Sequence, residues 1–299
     1  MKILIVLLVI LTGTPLLGQT IDELTLKGSI HHLRERTWDV IVTDGNPVKL
    51  TRSLTASRIF DKEYFMDVEG KLIKTNYYNE LENVIRSDHY AYVNNLLIVQ
   101  DEQYISHKYT YDEQGRMLID YTKANFFGAG GDTAHIIAHF SYDSNNLISE
   151  VIEKSDDDVT VSEKTYRYVD GKLAVIESAD FGELSFIENS YNSNGLLIEE
   201  IIRTESDTSQ VLTYVYKDSI LSAQIRTWMY QGEIDQKWIR RYNDQGDLTG
   251  IFEYSLDTGE MELIETHFYE YDSTENWIKR LTTLEDHSTY LTERIIKYN

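Results

Sequence analysis

The sequence predicts an all-β chain of tandem antiparallel β-hairpin repeats, forming a long meandering, twisted or spiral sheet. Three observations predict it. A tyrosine-centred motif recurs along the chain, which holds 22 Tyr in 299 residues. Around each copy, aromatic and polar residues alternate with the period of two that a strand requires. Beyond the first residues, no window keeps a 3.6-residue apolar period for three turns, and Asn, Thr and Tyr are frequent.

The chain opens on Met1-Lys2, an apolar run from Ile3 to Leu11, a softer stretch to Pro15, and Gly18 before Gln19. One positive charge, an apolar centre and a small residue at the exit are the parts of a secretory signal peptide, here residues 1–18. The apolar run is about half of the roughly 20 residues that span a bilayer, so an anchor is the weaker reading. Cleavage removes Lys2 and no acid, and the mature chain is expected to be exported with no membrane insertion.

Residues 19–57 read as an N-terminal β cap or degenerate repeats. Leu26 to Trp38 and Val40 to Val42 suit strands, and Asp44-Gly45-Asn46 a turn before Val48 to Leu54. Beyond them, residues 58–299 form the repeat array. Tyr109-Thr-Tyr111-Asp112-Glu-Gln-Gly115, Phe140-Ser-Tyr142-Asp143-Ser-Asn-Asn146 and Tyr269-Glu-Tyr271-Asp272 share one layout, with looser copies at Tyr166-Arg-Tyr168, Tyr191-Asn192, Tyr214-Val-Tyr216 and Tyr242-Asn243. Counted by the anchors 66, 78, 92, 111, 142, 168, 191, 216, 242 and 271, there are ten. Aromatic residues at i and i+2 lie on one strand face roughly 7 Å apart. The following Asp or Asn, with Gly or Asn close behind, supplies the positive φ that closes a hairpin. An apolar group then returns to cover the pair, as at Met117-Leu118-Ile119 or Leu196-Leu197-Ile198. The last segment, Tyr290 to Tyr298, is a strand without a following turn, and atypical ends suit the caps of a repeat array.

The Tyr-x-Tyr-Asp-x-x-Gly copies resemble YD repeats, the unit of Rhs-type wall-associated and toxin proteins. The close of the chain, from Tyr271-Asp272 to Tyr298, is similar to the end of small exported YD-repeat proteins of Bacteroidetes-type bacteria. The resemblance implies consecutive hairpins wound into a spiral, which in large Rhs proteins closes into a shell around a toxic cargo. The chain departs from it in keeping Gly-Arg after the turn only at Gly115-Arg116, and in lacking a conserved-core segment or C-terminal toxin domain. Architecture transfers with such a likeness; function does not.

Composition removes whole classes of chemistry. With no Cys there is no disulfide, thiolate metal site or cysteine nucleophile. A formal charge of -22 with no basic patch argues against nucleic acid. His135 and His139 have helical metal-ligand spacing but stand in a strand pattern, about 13 Å apart if extended. His31 and His32 point to opposite faces. Gly128-Ala-Gly130-Gly131-Asp132 lacks the helix a phosphate loop needs and reads as a long hairpin tip. Asp156-Asp157-Asp158 has no EF-hand spacing and reads as a solvated tip. No serine stands in a Gly-x-Ser-x-Gly elbow. The sequence thus assigns no catalytic, cofactor-binding or metal residue and expects no cofactor.

Aromatic rungs on one sheet face are most simply a core. If that face stays open, a row of Tyr and Trp becomes a platform for sugar rings, with Trp228, Trp238 and Trp277 as candidates. The expected function is an exported, non-enzymatic binding or scaffold module with a protein or glycan partner, in the envelope or outside the cell. The alternatives are a surface glycan-binding protein using that aromatic row, or part of a toxin-delivery or immunity system.

Overall fold

The computed structural model describes residues 26–52, 61–125 and 133–299. The expected signal peptide at 1–18, the expected boundary at 57/58 and the glycine cluster at 128–132 lie outside the described residues. Strands follow one another as β1 (Ile30–Thr43), β2 (Asn46–Arg52), β3 (Asp61–Met66), β4 (Leu72–Tyr78), β5 (Val84–Val93), β6 (Leu96–Asp101) and β7 (Ile105–Tyr111). They continue as β8 (Met117–Asn125), β9 (Thr133–Tyr142), β10 (Ile148–Ser155), β11 (Thr160–Val169), β12 (Lys172–Asp180), β13 (Glu183–Tyr191) and β14 (Leu197–Thr204). The last are β15 (Thr208–Lys217), β16 (Ile220–Tyr230), β17 (Glu233–Tyr242), β18 (Leu248–Tyr254), β19 (Met261–Tyr271), β20 (Trp277–Leu284) and β21 (Thr289–Tyr298).

Each strand from β3 to β21 pairs antiparallel with the next, as the hairpin reading expects. The open layout does not survive. One edge of β1 pairs with β21 from Ile30 to Asp39, and the other pairs with β3 over His32 to Glu35 and with β2 from Trp38 onward. The result is a closed 20-strand antiparallel barrel, with β2 a side ribbon. The expected meandering or spiral sheet is thereby corrected, and the physical reason is edge satisfaction. An open array leaves a bare strand at each end, and one two-edged strand removes both.

The tyrosine face points inward. Tyr64, Tyr90 and Tyr109 are buried beside Leu33, Met66, Leu72, Leu97 and Met117 in one cluster. Burial holds the hydroxyls of these three tyrosines protonated well beyond the ordinary phenol range. The intervening residues, such as Lys108, Glu163 and Arg167, are exposed on the outer face.

The motif now has a mechanical account. Asp112 Oδ1 accepts the main-chain N–H groups of Gln114 and Arg116 at 2.9 Å, and the Asp112 N–H closes the turn onto Arg116 O at 2.9 Å. Asp67, Asp143, Asn192, Asn243 and Asp272 do the same in their turns. Other turns on this rim are two-residue loops with both φ values positive, as at Asn94-Asn95, Asp170-Gly171 and Asp218-Ser219.

After each of these turns a β-bulge shifts the register, and at four of them the tyrosine that ends the next unit's strand pair reaches back to this point. Tyr111 donates to Leu97 O at 2.6 Å, Tyr142 to Met117 O at 2.7 Å, Tyr191 to Leu173 O at 2.9 Å and Tyr216 to Leu197 O at 2.9 Å. Each accepting carbonyl belongs to the residue just before the one that the bulge leaves out of the register, Leu97 before Ile98 and Met117 before Leu118, so the hydroxyl braces the ladder where the bulge disrupts it. Tyr-Asp is therefore one device with two halves: Asp fixes its own turn, and Tyr ties it to the preceding one.

The count of ten needs amending. Tyr78 ends β4 and so lies at the opposite rim from the other anchors, which end β3, β5 and the later odd-numbered strands. The tenth unit is formed instead by β21 and β1. Tyr298 stands opposite Ile30 with a bulge before His32, matching Tyr111 opposite Met117 with a bulge before Ile119. Asn299 N–H donates to Ser29 O at 2.8 Å, the counterpart of Asp112 to Arg116. Gly28 has φ +89°, as Gly115 has +79°. One repeat turn is thus split between Asn299 and Gly28-Ser29.

Candidate ligand-binding face inside the barrel

Gln231 and Gly232, with φ of 52° and 80°, make a two-residue turn between β16 and β17. That turn and a β-bulge between Trp228 and Met229 together set the register: Trp228 faces Gln236, Arg226 faces Trp238, and Gln224 faces Arg240. Tyr214, from an inward tyrosine pair on β15, lies opposite Gln224, so the whole set is on the inner face.

The two indoles meet edge to face, with centroids 6.2 Å apart and planes at 76°, a favoured aromatic geometry. The Arg226 guanidinium lies 5.4 Å from the Trp228 ring centroid. On β18, Glu253 accepts from Gln236 Nε2 at 2.6 Å and from Trp238 Nε1 at 3.3 Å. Arg240 gives Gln224 Oε1 a long bond of 3.4 Å. Arg226 Nε is buried without a hydrogen-bond partner. On β14, burial raises the Glu200 carboxyl above its usual range, against the opposing pull of Arg226.

Gln224, Arg226, Trp228, Trp238 and Arg240 line a hollow of about 10 Å³. That is room for about one water, far below the roughly 300–1,000 Å³ of a small-molecule pocket. A ligand larger than a single group would lie across this face. Two flat apolar rings bordered by carboxamide, guanidinium and carboxylate groups match a sugar, with its C–H faces and ring of hydroxyls.

Of the three candidate tryptophans, the structure brings Trp228 and Trp238 together and separates Trp277. Trp277 is on β20, 7% exposed, beneath the Arg294 guanidinium at 3.4 Å and against Tyr269 at 5.9 Å. It belongs to the packing near the closing strands. His135 and His139 both sit on β9, where His135 meets Tyr121 and lies 3.6 Å from Asp156. His31 is exposed, while His32 bonds Glu63 at 2.8 Å. Asp156 to Asp158 form the exposed β10–β11 turn, where Lys154 pairs with Asp158 at 2.8 Å. Among the described residues, no group of three or more His, Asp or Glu side chains is placed to hold a metal.

Arg226, Arg240, Gln224, Gln236 and Glu253 are site residues that the sequence reading missed. The short turn at Gln231-Gly232 was the visible signal, but a β-bulge between Trp228 and Met229 shifts the pairing by one residue, and only with that shift does Arg226 come opposite Trp238 and Gln224 opposite Arg240.

No family model matches the chain, and no curated protein matches it. Among solved structures, it aligns with a porin-like protein from Bacteroides uniformis at 11% identity and a TM-score of 0.36, covering 91% of this chain and 99% of that one. It also aligns with TcdB2-TccC3 at 12% identity and a TM-score of 0.37, covering 84% of this chain but 17% of that one. The related TcdB2-TccC3-TEV structure gives 11% identity and a TM-score of 0.35, over 84% of this chain and 16% of that one.

Proposed function

We propose that the chain is an exported, non-enzymatic binding module, a YD-type hairpin-repeat barrel whose inner face offers a glycan platform at Trp228 and Trp238. The observation that carries this reading is the convergence of both indoles with Arg226, Arg240 and Gln224 around one hollow. Membership of the YD-repeat class is supported by the shared work of the Asp turn caps and the Tyr hydroxyls, which gives each motif position a physical role. Export is supported by the composition of residues 1–18, and an envelope or extracellular setting follows from it.

The outer face favours water over lipid. Lys108, Glu163 and Glu177 are exposed well inside their strands, and a Lys or Arg facing lipid at the bilayer midplane costs roughly 2–4 kcal/mol, acids somewhat less. We therefore read the barrel as working in aqueous surroundings after signal cleavage.

Titrating the purified chain with polysaccharides and following tryptophan fluorescence tests the platform. Saturable quenching is expected, lost in Trp228→Ala and Trp238→Ala variants whose circular dichroism matches the parent. No quenching with any polysaccharide, or quenching that survives both substitutions, would count against the reading.

A further inference from the structure

The ligand class is narrower than a glycan in general. Resting on the platform reading above, we infer that the hollow bordered by Trp228 and Trp238 takes one carboxylate oxygen of an acidic sugar, while the sugar ring packs outside it against an indole. Size and donor inventory both point to this. The hollow, at about 10 Å³, admits one oxygen-sized group and no ring. Two guanidiniums border it, and their planar donor forks match a carboxylate better than they match a hydroxyl.

The donors are available. Arg226 Nε is buried with no partner, and an unmade bond at a buried charged group is costly until a ligand supplies it. Arg240 spends only a 3.4 Å bond on Gln224. The acids on neighbouring strands do not neutralise the pair completely. Glu253 is engaged by Gln236 and Trp238 Nε1. Glu200 sits opposite Leu212, which in turn sits opposite Arg226, so a strand separates the two. A neutral sugar would cover the indoles and leave the guanidinium without an anion.

The test compares a galacturonate oligosaccharide with its fully methyl-esterified counterpart, by calorimetry and tryptophan fluorescence. The acid is expected to bind about tenfold or more tighter than the ester. Arg226→Gln should remove that preference, bringing the affinity for the acid down to that for the ester. Arg240→Gln serves the same purpose if Arg226→Gln does not reach the parent melting temperature. Equal affinity for acid and ester, or a preference unaltered in both variants, overturns this inference while leaving the glycan platform standing. Absence of binding by either sugar also overturns this inference, and the platform falls with it only if the polysaccharide titration is silent as well.

Discussion

The Asp61 carboxylate accepts the main-chain N–H of Thr37 at 2.7 Å, with both residues buried. The contact falls where β1 passes from β3, paired at His32 to Glu35, to β2, paired from Trp38. A side chain here takes the place of a ladder carbonyl and seals a gap in the ring. Asp61→Ala is expected to lower stability by about 2–3 kcal/mol, since it orphans a buried donor. Asp61→Asn, which keeps an acceptor, should cost less. Urea denaturation of the two variants checks the order, and equal loss would refute the capping role.

The tyrosine ladder predicts small, additive losses. Tyr142→Phe and Tyr191→Phe each remove a hydroxyl bonded to a neighbouring-unit carbonyl, Met117 O and Leu173 O. Each should cost roughly 0.5–1.5 kcal/mol, and the double variant should approach the sum because the two bonds share no residue. Chemical melts of the three proteins decide; an unchanged midpoint in both single variants would mean the hydroxyls are idle.

The split turn predicts that the chain tolerates circular permutation. Asp112 and Gly115 are separated by two residues, so bridging Asn299 to Gly28 with two polar residues rebuilds a whole repeat turn. A permutant joined there and reopened at the exposed Asp218-Ser219 turn should keep the parent circular dichroism and melt within a few degrees of it. Deleting residues 26–45 instead removes the closing strand and should produce aggregation through the two exposed edges. Light scattering of a deletion protein that stayed monomeric would contradict the closure.

A pH response follows from His267. It is 6% exposed, and burial, aided by Arg280, lowers its pKa to about 4, although Glu265 lies 3.4 Å away. Below the ordinary histidine pKa of 6.5 the unfolded chain takes up this proton and the folded chain does not. Stability is therefore full above pH 6.5 and declines toward pH 4, by at most about 1.4 kcal/mol per pH unit. Glu200 works in the opposite sense, since its raised carboxyl favours the folded state more as pH falls. Comparing the parent with His267→Gln between pH 7 and 5 isolates the histidine. The variant should show the shallower dependence, and identical slopes would exclude His267 as the source.

Much of this was legible in the chain because the information was local. The Tyr-x-Tyr pair, the Asp two or four residues from the N–H groups it caps, and the returning Leu or Met all lie within one hairpin, where a period of two and a turn residue decide the outcome. The anchor at Tyr78 misled because its Asn79 cap resembles the others, with Asn79 Oδ1 accepting from Leu81 and Asn83, yet its strand runs the other way. Closure was illegible for a different reason. The β1 segment lacks the motif, and its partners are specified by edge geometry between Ile30 and Tyr298, residues at far ends of the sequence. The tryptophan platform lay between these cases: Trp228 and Trp238 were visible as aromatics, but their arginine neighbours required the register.

The split turn also sets the order of folding events. Hairpins that close over a few residues form in microseconds, whereas the meeting of β1 with β21 waits for a contact spanning nearly the whole chain, with a closure entropy that grows as the logarithm of that span. A ribosome or translocation channel releases β1 first and β21 last. The emerging chain therefore passes through a long interval as an unsealed ribbon with an unpartnered strand at each margin. Until the last strand arrives, a neighbouring ribbon can take its place against β1, so domain-swapped assemblies should increase with local concentration during synthesis.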